Sequence, residues 1–330
     1  MMPRHLLSCF ALCLAGAAAT AWAQAAPPDP ASLLQRIGSA ARQLTYSGVF
    51  VHSSRDRTTT SRIIHISDRG EEWERTEFLD GPANEIIRRN EELYCYQPES
   101  KTIRIDRRIS GKFFPSLLNG APQTVMENYN VKIGAVERIG GHDCQWLVLE
   151  PKDTLRFLQE LCAEMGSGLL LRARTFNDRN QILEQFTFTE LKLGNEAARD
   201  FSRGHIKSRL RVKQDGWQTD NSAERDMKNA ETGWVATNPP TGFRKVKEMQ
   251  RTMAGKIHQV SHLVFSDGVA SISVFVEPLP SGTKGYSQAA EDGMGSYALR
   301  TVADHQVTVL GEVPLGAAQL LAIGVGPKAR

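Results

Sequence analysis

Cysteine is scarce in this chain. Five in 330 residues are too few for a small disulfide-dense scaffold. After the first two dozen residues no stretch approaches the ~20 consecutive apolar residues that a membrane-spanning helix needs. Neither sign of charge dominates. Of 40 Lys plus Arg, Arg4 lies in the N-terminal apolar segment, which leaves 39 against 37 Asp plus Glu. Such a balance gives no broad basic field of the kind that nucleic acid rewards, so nucleic acid is not an expected partner. Catalytic signatures are missing as well: HExxH, CxxC, the Walker loop and GxGxxG do not occur. Gly166-Ser167-Gly168 sits in a turn and Gly293-Met294-Gly295-Ser296 lacks a strand-to-helix context, so neither is a nucleophile elbow. His258 and His262 are four apart on an expected strand, which places them about 13 Å from each other and rules them out as a metal pair. No cofactor, no metal and no enzyme activity are expected. What remains is binding.

The N-terminus reads as an export signal. Arg4 and His5 precede an apolar run from Leu6 to Ala19, and Ala21-Trp22-Ala23 has the small-x-small form of a cleavage site. Cys13 lies too early and lacks the small residues of a lipobox before it. Residues 1–23 are therefore expected to be removed, leaving a periplasmic protein. Cys9 and Cys13 go with them. Cys95, Cys144 and Cys162 remain in an oxidising compartment, an odd count that leaves at least one thiol unpaired.

The mature length suggests two domains. Asp29-Pro30 opens a helix with Leu33, Leu34, Ile37, Ala41 and Leu44 on one face. From Tyr46 short alternating runs follow one another, joined by turns such as Asp68-Arg69-Gly70 and Asp80-Gly81-Pro82. This is an antiparallel meander, and it excludes a doubly wound α/β sheet. Residues 111–130 interrupt it with Phe113, Phe114, Leu117, Leu118, Val125, Met126 and Tyr129 among Pro and Gly. That segment reads as a loop with short helices lying over the sheet. Strands resume to residue 193. The expected fold is mainly β with some α: an unclosed antiparallel barrel over 24–194, a charged linker over 195–232, and a smaller β-rich domain over 233–330.

Two sets of residues follow from this layout. A hairpin symmetric about Asp153 puts Cys144 opposite Cys162, within reach of a disulfide; two buried thiols are the other outcome. A curved sheet under an apolar insert is a container for something greasy. Its candidate lining is Phe50, Ile64, Trp73, Phe78, Phe113, Phe114, Leu117, Leu118, Met126 and Tyr129, against the plainer reading that these form the core. Phe113 to Tyr129, broken by Pro and Gly, suits a lid.

The chain resembles the periplasmic RseB/MucB proteins. The resemblance runs from about Leu33 to Val325 and is carried by Tyr46-Ser47-Gly48-Val49-Phe50-Val51 and Leu79-Asp80-Gly81 in the first half. In the second half it is carried by Asp267-Gly268, by Ser273-Val274-Phe275-Val276-Glu277-Pro278-Leu279 and by Val309-Leu310-Gly311-Glu312-Val313-Pro314. The Pro-Pro-Gly-Phe element of relatives appears as Pro239-Pro240-Thr241-Gly242-Phe243, with an inserted Thr. The resemblance implies a first domain similar to the lipoprotein carriers LolA and LolB. It also implies a job: binding the periplasmic part of a transmembrane anti-sigma factor, shielding it from the initiating protease, and letting go when lipid or lipopolysaccharide binds. On this reading the second domain contacts the partner through a sheet edge near 269–279, with Ser273, Phe275 and Glu277 as candidates. A homo-oligomer is a further expectation. The alternative in another class is a periplasmic lipoprotein or lipid carrier, which shares the first domain and has no use for the second.

Overall fold

The computed structural model describes residues 29–329 except 56, 108–112, 201–215, 222–227, 254–257, 281, 283 and 292–294. The expected signal segment 1–23 lies outside the described residues, as does much of the expected linker.

Helix α1 (Pro30–Gln43) starts where Asp29 accepts a hydrogen bond from the Ser32 amide at 3.0 Å and Pro30 pre-sets the first turn. It buries Leu33, Leu34, Ile37, Ala40 and Ala41. The first sheet has twelve strands in the order β12-β6-β5-β4-β3-β2-β1-β11-β10-β9-β8-β7. Its middle is β1 (Tyr46–Ser54), β2 (Arg57–Asp68) and β11 (Ile182–Leu193). The outer strands on one side are β3 (Glu71–Phe78), β4 (Glu85–Arg89), β5 (Glu92–Gln97) and β6 (Thr102–Arg107). On the other side lie β7 (Tyr129–Ile139), β8 (His142–Pro151), β9 (Leu158–Glu164) and β10 (Leu170–Phe176). Neighbouring strands in the sequence pair as hairpins. A long-range antiparallel pairing joins β1 to β11, where Tyr46 faces Leu193. Gly48 permits it: a Cβ there would lie 2.3 Å from the Glu190 carbonyl oxygen. The sheet curls without closing, because β12 and β7 are each paired on one side only. Its concave face carries Tyr46, Phe50, Ile63 and Phe188, covered by α1 and by residues 113–128, which include helix α2 (Pro122–Asn128).

Cys144 and Cys162 are joined by a disulfide, with Cα atoms 5.5 Å apart. The register differs from the expected one by two residues. Cys162 faces Trp146 and Cys144 faces Glu164, so the two cysteines are diagonal neighbours on one face instead of a directly opposed pair. The turn is longer than Pro151-Lys152-Asp153-Thr154, and Arg156 lies within it.

Part of residues 195–232 is built into the sheets. Helix α3 (Asn195–Asp200) follows the first sheet, and β12 (Gln218–Asp220) runs parallel to β6 at its edge. Beside β12, Trp217 packs on Tyr96 at 6.2 Å. Strand β13 (Lys228–Asn229) joins the second sheet.

That second sheet has the order β13-β15-β16-β17-β20-β19-β18. Its central strands are β15 (Arg244–Arg251), β16 (Val260–Ser266), β17 (Ser271–Pro278) and β20 (His305–Gly311), with β19 (Ser296–Val302) and β18 (Ser287–Glu291) beyond them. One face packs Leu263, Phe265, Ile272, Val274, Val276 and Val309 against helix α4 (Leu315–Gly324). A small ladder of β14 (Trp234–Ala236) and β21 (Val325–Pro327) closes the end. The expected edge near 269–279 is corrected here. β17 pairs with β16 on one side and β20 on the other, so it has no free backbone to offer a partner strand. The edges of this sheet are β13 and β18.

Candidate functional site

Pairing along the outer strands decides which groove candidates share a surface. Trp73 and Phe78 are five apart on β3, an odd spacing that sends them to opposite faces. Phe78 faces Ser61 across the strands and Ser61 faces Phe50, so Phe78 is concave. Trp73 belongs to a separate convex cluster with Ile87 and Tyr96. Ile64, opposite Ser47 and Arg75, is convex as well.

The middle of the concave face is already filled. Phe50 faces Phe188 and His52 faces Phe186, which gives a row of rings across β1 and β11. The Phe114 ring enters this row, 5.3 Å from Phe50, 5.0 Å from Phe188, and stacked on Phe186 at 5.3 Å. Leu117 and Leu118 are buried in the same cluster. Phe113 and Met126, by contrast, are about 40% and 39% exposed. The eight residues from Trp73 to Tyr129 thus divide among core, convex face and surface; Leu117 borders a small pocket of about 40 Å³, and Phe78 lines an open cavity. That cavity, of about 650 Å³, lies at the mouth of the concave face among His52, Arg57, Phe78, Asp80, Ile86 and Cys95. Its size suits a small ligand. His52 stacks on Phe186 at 4.2 Å and its Nε2 lies 2.8 Å from Glu184, so the mouth and the aromatic row are contiguous. Reading the sequence missed Phe186 and Phe188. Their i, i+2 spacing in β11 was the available signal, but it needed the β1–β11 pairing to place them opposite Phe50.

Farther out, the concave face becomes polar. Arg88, its side chain 6% exposed, bonds Glu72 at 2.9 Å and Glu74 at 3.0 Å. Burial pushes the Glu72 carboxyl up, but His65 and Arg88 outweigh it and hold its pKa at about 2. These groups face a cleft of about 650 Å³ shared with the second sheet, whose lining includes Arg42, Arg244 and Lys247.

Tyr129 has a different place from the one expected. It is 1% exposed and its hydroxyl donates to Asp267 Oδ2 at 3.1 Å, across the junction between the two halves. Arg156 donates to the same oxygen at 2.7 Å and to Asn128 Oδ1 at 3.2 Å, and also bonds Asp153 and the Thr241 carbonyl. The side chains of Arg156 and Asp267 are both fully buried. The guanidinium lies 4.9 Å from the Phe243 ring centre. Burial works against the Arg156 charge, yet Asp267 more than offsets it, and Tyr129 is pushed well above its usual pKa by burial and by the same carboxylate. Nearby, Gly120 and Gly268 meet backbone to backbone: a Cβ on Gly120 would lie 2.6 Å from the Gly268 Cα. The amides of Asn119 and Gly120 donate to the Gly268 carbonyl at 3.1 and 3.2 Å. Val269 completes the seam by packing into the first core. A second tie, Arg251 to Asp106 at 3.5 Å, lies farther out.

Ser273, Phe275 and Glu277 alternate with core residues of β17 and so share the face away from α4. They are half-buried, and Phe275 stacks on His262 at 4.2 Å. Both His262 ring nitrogens lack a hydrogen-bond partner, and burial, with Arg251 and Lys247 nearby, lowers its pKa to about 3. Among the described residues no group of His, Cys, Asp or Glu could hold a metal ion, and no helix is long and apolar enough to cross a membrane.

Comparison with known proteins agrees with this architecture on both halves. Residues 29–209 match the MucB/RseB N-terminal domain and residues 228–326 the MucB/RseB C-terminal domain. The chain is 29% identical over 309 residues to the sigma factor AlgU regulatory protein MucB of Pseudomonas aeruginosa, covering 91% of this chain and 92% of that one. It is 21% identical over 303 residues to the sigma-E factor regulatory protein RseB of Escherichia coli K12, covering 90% of each. Among solved structures, the P. aeruginosa MucA/MucB complex matches with a TM-score of 0.70 at 25% identity, covering 92% of this chain and 100% of that one. MucB in complex with the periplasmic part of MucA matches with a TM-score of 0.69 over the same shares. The chain belongs to the MucB/RseB family.

Proposed function

We propose that this protein is a periplasmic regulator that binds the periplasmic part of a transmembrane anti-sigma factor and shields it from the initiating protease. It thereby restrains the envelope-stress sigma factor, and lipid or lipopolysaccharide binding releases it. The observation that carries this reading is the match, over nearly the whole chain and both halves, to a relative solved in complex with MucA. The extended seam between the halves supports it further, because a ligand bound in one half can alter the other only through contacts that join them. The mouth cavity with its Phe78 and Ile86 floor is the proposed lipid entry.

Limited proteolysis provides the test. The anti-sigma periplasmic fragment is digested by its initiating protease with and without the mature chain, and then with lipid A. The expected result is protection that lipid A abolishes. Cleavage at an unchanged rate beside the mature chain would overturn the reading. The same 650 Å³ cavity gives the carrier alternative its one observation; lipid uptake with no protection would favour it.

A further inference from the structure

We propose that residues 113–120 are both the resident occupant of an alkyl-chain site on the concave face and the tether of the second domain. A single-chain lipid that enters the site displaces Phe114 and loosens the domain junction. This rests on the lipid-responsive reading above and assigns residues to it.

Phe114 is held by rings on three sides, Phe50, Phe186 and Phe188, all within 5.3 Å. The site is therefore one that takes an apolar group, and the chain fills it with its own. Its position is continuous with the mouth cavity: His52 forms part of the cavity wall and stacks on Phe186, and Phe186 stacks on Phe114. A flexible alkyl chain lying on Phe78 and Ile86 reaches the plug past a single ring. Because the closed form hides the site, the apparent affinity for such a ligand is lowered by the fraction of time the plug is out.

The tether is six residues away on the same strand of chain. Leu117 and Leu118, buried between the two points, pack in the same core as Phe114 and so join plug to tether. Asn119 and Gly120 then donate to Gly268 of the second domain, at a backbone approach that only a pair of glycines allows. Moving Phe114 out of the aromatic row moves the segment that makes those bonds. Coupling of this kind is reciprocal: whatever loosens the Gly120–Gly268 contact also frees the plug.

The mature full-length chain is titrated with dansyl-labelled undecanoic acid, and amide hydrogen exchange is followed by mass spectrometry. We expect saturable binding and exchange at Asn119 and Gly120 that is faster by about tenfold at saturation, with the disulfide-linked β8–β9 hairpin unchanged. Phe114→Ala is expected to bind the probe about tenfold more tightly, because its competitor is gone. Gly120→Ala, which keeps the Phe114 side chain but forces the Gly120–Gly268 contact apart, is expected to show fast exchange at 119–120 without probe, and tighter probe binding. It also serves if Phe114→Ala does not fold. Probe binding with unchanged exchange at 119–120 would overturn the inference while leaving lipid binding in place, as would two variants that bind no tighter than wild type. Faster exchange without any loss of affinity for the anti-sigma fragment would uphold the inference and sink lipid-triggered release. No binding to wild type or to Phe114→Ala would sink both.

Discussion

One carboxylate, Asp267, organises the contact between the two halves. Its Oδ1 accepts from the Val269 and Ala270 amides at 2.9 and 2.7 Å, which shapes the β16–β17 turn, while Oδ2 takes Arg156 and Tyr129 from the first half. A buried ion pair adds little net stability compared with apolar residues of the same shape, but breaking one side leaves a buried charge. Asp267→Asn is therefore expected to cost about 3–5 kcal/mol in urea unfolding. Arg156→Met should cost a similar amount, and the double variant much less than the sum. Additive losses would contradict the shared-partner account. In the sequence Asp267-Gly268 is legible only as a hairpin turn. Its long-range role was not, because Arg156 is 111 positions away and nothing local marks the pairing. Tyr129 was misplaced for the same reason: an aromatic residue in an apolar segment looks the same whether it lines a groove or donates a hydrogen bond.

His262 gives a pH dependence whose sign can be worked out. Its folded pKa of about 3 is below the unfolded value of 6.5, so below pH 6.5 the unfolded chain binds a proton that the folded chain does not. Stability falls as pH drops through that window. Between pH 7 and 5.5 the loss is about 1 kcal/mol, and His262→Leu should remove it. Glu72 acts in the same direction lower down, its contribution present above pH 4.5 and lost as pH falls towards 2. Urea midpoints of wild type and His262→Leu at pH 7 and 5.5 check this; equal pH sensitivity in the two proteins would contradict it.

At the scale of elements, hairpins were the most legible feature and sheet order the least. Alternation and turn residues located the meander, since both are local signals. Which strands lie at an edge depends on crossovers, and β17 became an interior strand because β20 returns beside it. The groove candidates fared according to parity. A set chosen for apolar character mixes the two faces of a strand, and Trp73 and Phe78 show the result. Phe78→Ala is expected to weaken fatty-acid binding several-fold with a small change in stability. Trp73→Ala, in the convex cluster, should cost about 3–5 kcal/mol and leave the fatty-acid affinity of the folded protein unchanged. The reverse pattern would place the site on the wrong face. The β8–β9 hairpin carries its own staple. Replacing Cys144 and Cys162 by Ala, residues 18 apart, should lower stability by about 3 kcal/mol under oxidising conditions. Reductant should then have no further effect on the variant.

For the whole molecule, two sheets meet at a seam that contains a buried ion pair, a glycine–glycine approach and an apolar contact through Val269. The concave face of the first sheet has an apolar middle, an open mouth at one end and a charged region towards the second sheet. On the proposed function, a greasy ligand in one half alters what the other half presents. The proposed function is tested by calorimetric titration of residues 24–330 with the periplasmic fragment of an anti-sigma factor, with and without lipid A. Saturable binding that lipid A weakens is the expected result. No heat at any concentration, from protein shown to be folded, would contradict it.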